Sequence, residues 1–131
     1  MNRDDLNART MRFCVDVIKY LETVPKSNAT MVIQRQLIRS SSSVAANYRA
    51  ARRGRSPREY FAKLSIVVEE ADESLFWLDL IKEAKLDTSN NLIRITQEAT
   101  ELLYIFSASR KTAKSRISLN HPISPNHQIT K

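Results

Sequence analysis

Glycine occurs once in the 131 residues, at Gly54. A sheet protein of this length needs several glycines for its turns, so the shortage points to long helices and few turns. Cysteine also occurs once, at Cys14, which excludes an internal disulfide framework and any cysteine-based metal site. The two histidines, His121 and His127, both fall in the last eleven residues, so histidine chemistry has no place in the body of the chain. No cofactor and no metal are expected. Met1 to Leu6 is polar and acidic, and no apolar run reaches signal-peptide or transmembrane length. The expectation is a cytoplasmic protein without a membrane partner, whose lone thiol stays reduced. What is present is basic charge. Lys and Arg total 21 against 14 for Asp and Glu, a net of +7 with pI near 9.9. At 15.0 kDa and 42% apolar residues, the chain suits one globular domain.

The breakers fall at Pro25 to Asn28, Gly54 to Pro57 and Asp87 to Asn90. They divide the chain into four segments, each with apolar residues in alternating steps of three and four. The stripes run Leu6, Thr10, Phe13, Val17, Tyr20, Val24; then Ile33, Leu37, Ser40, Val44, Asn47, Ala51. The third runs Phe61, Leu64, Val68, Ala71, Leu75, Leu78; the fourth runs Leu92, Ile95, Ala99, Leu102, Phe106, Ser109, Ala113. Such a step is the seam of antiparallel helices, and short loops select an all-α, up-down-up-down antiparallel four-helix bundle. Ser56-Pro57-Arg58-Glu59 reads as a capping box that starts the third helix after a tight turn at Gly54. The bundle is expected over residues 1–117, with a flexible C-terminal tail over 118–131, where Pro122 and Pro125 stand among few apolar residues. Apolar residues beyond the stripes (Cys14, Ile18, Leu21, Ile38, Ala45, Tyr48, Trp77, Ile81) suggest a second buried face, and hence a homo-oligomer.

Charge is distributed unevenly. Residues 25–55 hold seven basic residues and no acid; 56–87 carry a net of −4, 88–131 a net of +4, and 1–24 balance. In an up-down bundle one pole then gathers Arg3, Arg49, Arg52, Arg53, Arg55, Arg58, Arg110, Lys111, Lys114 and Arg116. Arginine forks in such density suit a nucleic-acid backbone without reading its sequence. Helix C-termini also favour cations, but one or two charges per helix end suffice for that. Tyr60 flanks the pole as a candidate stacking platform, whereas Phe61 and Trp77 lie on or beside core stripes.

Other residues read as structural. Glu69 and Glu73 share a helical face, yet a di-iron carboxylate centre also needs helical histidines, which are missing; a solvated face or ion pairs with helix-two arginines fits better. Ser40 to Ser43 lack a base and a nucleophile elbow, so with Ala45, Ala46, Ala50 and Ala51 they suit close helix approach. Asn47, on the core stripe, is a candidate for fixing register.

Gln36-Leu37 and Arg39 to Tyr48 resemble the Q-L-x-R-S/A-x-x-S-I/V-x-x-N segment of a bacterial four-helix-bundle family. Tyr60 to Ile66 and Glu70 to Leu78 are similar to its third-helix pattern, F-x-x-K-L-x-x-A…E-A-x-E-T-x-x-W-L. These are the proteins encoded in intervening sequences of 23S ribosomal RNA genes, similar in turn to the accessory variability determinant of diversity-generating retroelements. The resemblance covers roughly residues 8–116. It implies a ring-like homopentamer without enzymatic activity and, for the retroelement relatives, a basic surface that binds RNA and a reverse transcriptase. Arg39, Ser43, Asn47, Glu70 and Glu73 match the motif, and with Trp77 they are expected to be structural or subunit-contact positions. The chain departs at Arg49-Ala50-Ala51, where many members have an acidic residue followed by glycine; this end of helix two is more basic here.

The expected function is that of a non-catalytic oligomer binding nucleic acid, RNA in preference, through the basic pole. The alternative is a ring-shaped adaptor for a reverse transcriptase or another nucleic-acid enzyme.

Overall fold

A computed structural model describes the backbone of residues 3–120 and the side chains of residues 5–118. Four helices follow one another: α1 (Arg3–Leu21), α2 (Asn28–Ala51), α3 (Pro57–Glu83) and α4 (Asn90–Asn120). Each packs on its neighbours in sequence, and α1 closes the square against α4. The α2–α3 and α3–α4 seams are the most extensive and the α1–α4 seam the slightest. This is the expected all-α antiparallel bundle. α4 continues through Asn120, past the expected domain boundary at 117; the remainder of the expected tail, from residue 121, lies outside the described residues.

Local chemistry explains the helix ends. At the head of α2, Ser27 Oγ accepts from the Thr30 N–H at 3.1 Å, and the Ser27 N–H donates to Thr30 Oγ1 at 2.7 Å. At the head of α3, Ser56 Oγ accepts from the Glu59 N–H at 3.1 Å and Pro57 opens the helix. This is the serine half of the expected capping box; both halves form at Ser27 and Thr30. Just past the end of α3, after the cap residue Ala84, Lys85 has a φ of 55°. The Leu86 N–H reaches the Ile81 carbonyl and the Lys85 N–H reaches that of Lys82, a Schellman closure without the usual glycine. Gly54 has no positive φ. Its need is space, since a Cβ there would stand 3.0 Å from the Ala51 carbonyl oxygen and 3.2 Å from the Tyr60 nitrogen.

All six members of the first stripe are buried, joined by Cys14 and Leu21. In α4 the stripe is buried except Ser109, which is half-buried. Two stripes need correction. The buried line of α3 is Leu64, Val67, Ala71, Ser74, Leu78 and Ile81, with Phe61, Val68 and Leu75 half-buried beside it. Apolar residues are dense enough in α3 to offer two parallel lines. The line holding Ser74 wins because small side chains let α2 come close. Ser74 Oγ donates to Ser40 Oγ at 2.9 Å, with both hydroxyls fully buried between α2 and α3. In α2, Tyr48 takes the core place expected of Asn47. The Asn47 amide instead donates to Ser43 O and Ser43 Oγ, both at 2.9 Å and within its own helix, so it fixes no register between helices.

Two polar clasps tie distant segments. Arg9, 13% exposed at its side chain, pairs with Glu98 at 2.7 Å and Glu101 at 2.9 Å, holding α1 to α4. At the other end, the Tyr20 hydroxyl donates to Asp87 at 2.8 Å, linking the end of α1 to the α3–α4 loop.

Candidate nucleic-acid interface

The end of α2, the head of α3 and the last turns of α4 meet at one pole. The α2–α3 turn is short because Arg53 and Gly54 continue to hydrogen-bond back to Ala50 and Ala51 before Ser56 caps α3. The chain therefore reverses within five residues, 52–56, and three of those are arginines. Arg49, Arg53, Arg55, Arg58, Lys111, Lys114 and Arg116 are all exposed. Among the described residues no carboxylate pairs with any of these seven; the four ion pairs found there involve Arg9 and Arg39. Unpaired cations in this number repel one another, which disfavours the arrangement unless an anion joins them. The side chain of Arg3 lies outside the described ones.

Two of the expected contact residues are engaged by the protein. Arg110 lies 4.8 Å over the Phe61 ring and its Nε donates to Ser65 Oγ at 2.9 Å, so it braces α4 against α3. Arg52 is half-buried and lines a cavity of about 350 Å³, together with Tyr48, Ser56, Tyr60 and Arg116. A second hollow, of about 280 Å³, continues around Tyr60 between α3 and α4, lined by Ser109, Thr112 and again Arg116. Neither hollow has a signal in the sequence, because each needs segments far apart in the chain to meet: α2, α3 and α4 at the first, α3 and α4 at the second.

The expected structural positions fall into two groups. Arg39 on α2 reaches across to Glu70 at 2.7 Å and to Glu73 on α3. Glu73 also accepts from the Trp77 indole at 3.1 Å, and Trp77 packs edge-on against Phe76 with centroids 5.0 Å apart. Ser43 and Asn47 bond to each other, apart from that cluster. Glu69 is exposed and takes no part. Among the described residues no three His, Cys, Asp or Glu side chains come together as metal ligands, and no helix is long and apolar enough to cross a membrane.

Residues 5–108 match the family described as 23S rRNA-intervening sequence protein. The chain belongs to this family. Among solved structures it is similar to a protein of unknown function from the S23 ribosomal protein family of Bacteroides thetaiotaomicron, with a TM-score of 0.76 and 24% identity. That likeness covers 85% of this chain and 99% of the other, and it establishes the shared helical fold. No curated protein matches the chain.

In this intervening-sequence family member two carboxylates, Glu73 and Asp87, respond to their surroundings. The Trp77 indole holds Glu73 below the usual carboxylate range, against the opposing effect of burial and with help from Arg39. For Asp87, burial pushes upward, but the hydrogen bonds from Ser89, Tyr20 and two backbone amides outweigh it and leave the carboxyl depressed. Burial, then the Asp87 bond and charge, push the Tyr20 phenol upward. The signs follow by linkage. The depressed carboxylates stabilise the fold above their unfolded values, and that contribution is lost as pH falls through their folded values. The raised phenol stabilises below its unfolded value, and that contribution is lost as pH climbs toward its folded value. Melting temperature is therefore expected to fall below about pH 4 and again above about pH 10. Asp87→Asn should reduce both slopes in thermal melts across that range; slopes equal to those of the parent chain would remove the Tyr20–Asp87 clasp as their cause.

Proposed function

We propose that this protein is a non-catalytic, self-associating bundle that binds nucleic acid, RNA in preference, through its basic pole. The observation that carries this reading is the set of seven exposed cations at the pole, none paired with a carboxylate among the described residues. Contacts of this kind neutralise phosphates and position a backbone without reading bases, so binding is sequence-tolerant and depends steeply on salt. Titration of structured RNA at low and moderate salt tests it. Binding that weakens with salt, alike for unrelated sequences, supports the reading; no binding at low salt ends it. A cytoplasmic location belongs to the same proposal.

Self-association has its own support. Cys14, Leu21, Tyr48 and Ile81, counted in the sequence as surplus apolar residues, are absorbed by the core of one chain. Met11, Val15 and Ile18 remain exposed, at spacings of four and three along one face of α1. Gln34, reaching the Leu21 carbonyl at 3.5 Å, marks the side of α2 that meets α1. Ile38, one helical turn further along α2, is also exposed. An apolar strip of this kind is what a subunit contact buries. A homopentamer is the assembly proposed, as the family resemblance implies. Met11→Asp with Val15→Asp is expected to release folded monomers in sedimentation velocity at micromolar concentration; an unchanged assembly would move the contact elsewhere. The same apolar strip favours the second reading, an adaptor ring for a nucleic-acid enzyme. A protein partner that stays bound after nuclease treatment would support it.

A further inference from the structure

We propose that the pole is shaped for a single strand, with one base stacked on the ring of Tyr60, and not for the outside of a duplex alone. This deepens the nucleic-acid reading and rests on it. Tyr60 is half-buried, with its surface shared between the two hollows of the pole, and Arg116 borders both. Tyr60 and Arg116 thus stand together at the junction of two concavities. One opens toward Arg52 and Ser56 and the other along the α3–α4 groove at Thr112.

Shape selects between strand types. The larger hollow, of about 350 Å³, lies in the size range of small-ligand pockets. A duplex displays backbone and base edges but keeps its base faces stacked inside, so it has no face to lay on a ring at the hollow. An unstacked base on a flexible strand has one. Aromatic side chains take bases of any identity because every base has a π-face, and the arginines can neutralise the phosphates on either side. Arg55 and Arg58 lie on the loop and first turn beside the first hollow. Arg116 lines the second itself, and Lys111 stands on the α4 turn between Ala108 and Thr112, which also line it. A strand crossing Tyr60 would therefore meet cations before and after its stacked base.

Of the other aromatics near the pole, Phe61 is covered by Arg110 and Tyr48 is 3% exposed with its ring against Phe106. Tyr104 is 72% exposed but lines neither hollow. Tyr60 alone of these four combines an open surface with adjacent cations.

The test compares a labelled oligouridine of about 12 nucleotides with an RNA duplex carrying the same number of phosphates, by fluorescence anisotropy. Tyr60→Leu keeps the apolar contact with the core but has no π-face; Tyr60→Phe keeps both. Tyr60→Leu is expected to weaken the single strand about 10-fold, leaving the duplex and the salt slope unchanged, whereas Tyr60→Phe stays within about 2-fold of the parent chain. Equal loss for both RNAs, or no loss, overturns the stacking proposal while leaving the basic-pole reading intact. Failure of the parent chain to bind either RNA overturns both.

Discussion

Reversal of Arg53, Arg55 and Arg58 to glutamate is expected to weaken RNA binding on the order of 100-fold or more at 50 mM salt. The same variant should bind with a salt slope shallower by about 2 log units per log unit of salt, from three lost phosphate contacts. These three are the informative positions because each is exposed and none pairs with a carboxylate among the described residues. Reversal therefore removes attraction and adds repulsion without breaking a contact of the fold. Arg52, also expected at the interface, is a different case, since a carboxylate there would enter the wall of a cavity. The loss should be similar across RNA sequences, as backbone contacts dictate. Anisotropy titrations at several salt concentrations check both the affinity and the slope. A triple reversal that leaves both unchanged would remove the basic pole from any role in binding.

Phe106→Ala is expected to cost about 3–5 kcal/mol of stability, a large share of the roughly 5–15 kcal/mol typical of a domain. Phe106 is fully buried and stacks at a tilt on Tyr48, with ring centroids 5.2 Å apart. Truncation removes a ring from the close-packed centre of the bundle, where Phe106 of α4 meets Tyr48 of α2 across the core, and no neighbouring side chain can refill it without moving a helix. Tyr48 also lines the larger hollow of the pole. The variant should therefore loosen the hollow as it loses stability, while the exposed cations outside it stay in place. Chemical denaturation measures the first effect. A loss under about 1 kcal/mol would mean that the core repacks, contrary to the burial seen for Phe106.

Much of the fold is legible from a few residues. The single glycine, the breakers from Pro25 to Asn28, the cap at Ser56 and the stripes of α1 and α4 are local signals that any bundle must obey. The α3 stripe was not legible in detail, because Val67 and Val68, or Ser74 and Leu75, satisfy a helical period equally well. Which of them faces inward depends on the size of what α2 presents, and Ser40 selects Ser74. Asn47 misled for a related reason: its side chain is short enough to satisfy itself on the preceding turn, leaving the core position to Tyr48.

The candidate site divides in the same way. That basic residues crowd the α2–α3 corner follows from the order of residues 49–58. That Arg110 is spent on Phe61 and Ser65, and that Tyr60 stands between two hollows, follows only from helices meeting.

By itself the sequence determined the helical class, the number of helices, the antiparallel order and the pole to which charge is drawn. Each of these depends on period, breakers and net charge, which are properties of neighbours along the chain. Only the tertiary structure decided which line of α3 is core, which cations remain unpaired, and that Arg9 and Tyr20 find Glu98, Glu101 and Asp87. Those outcomes depend on distances between residues far apart in the chain, set by how closely helices of particular side-chain size can pack.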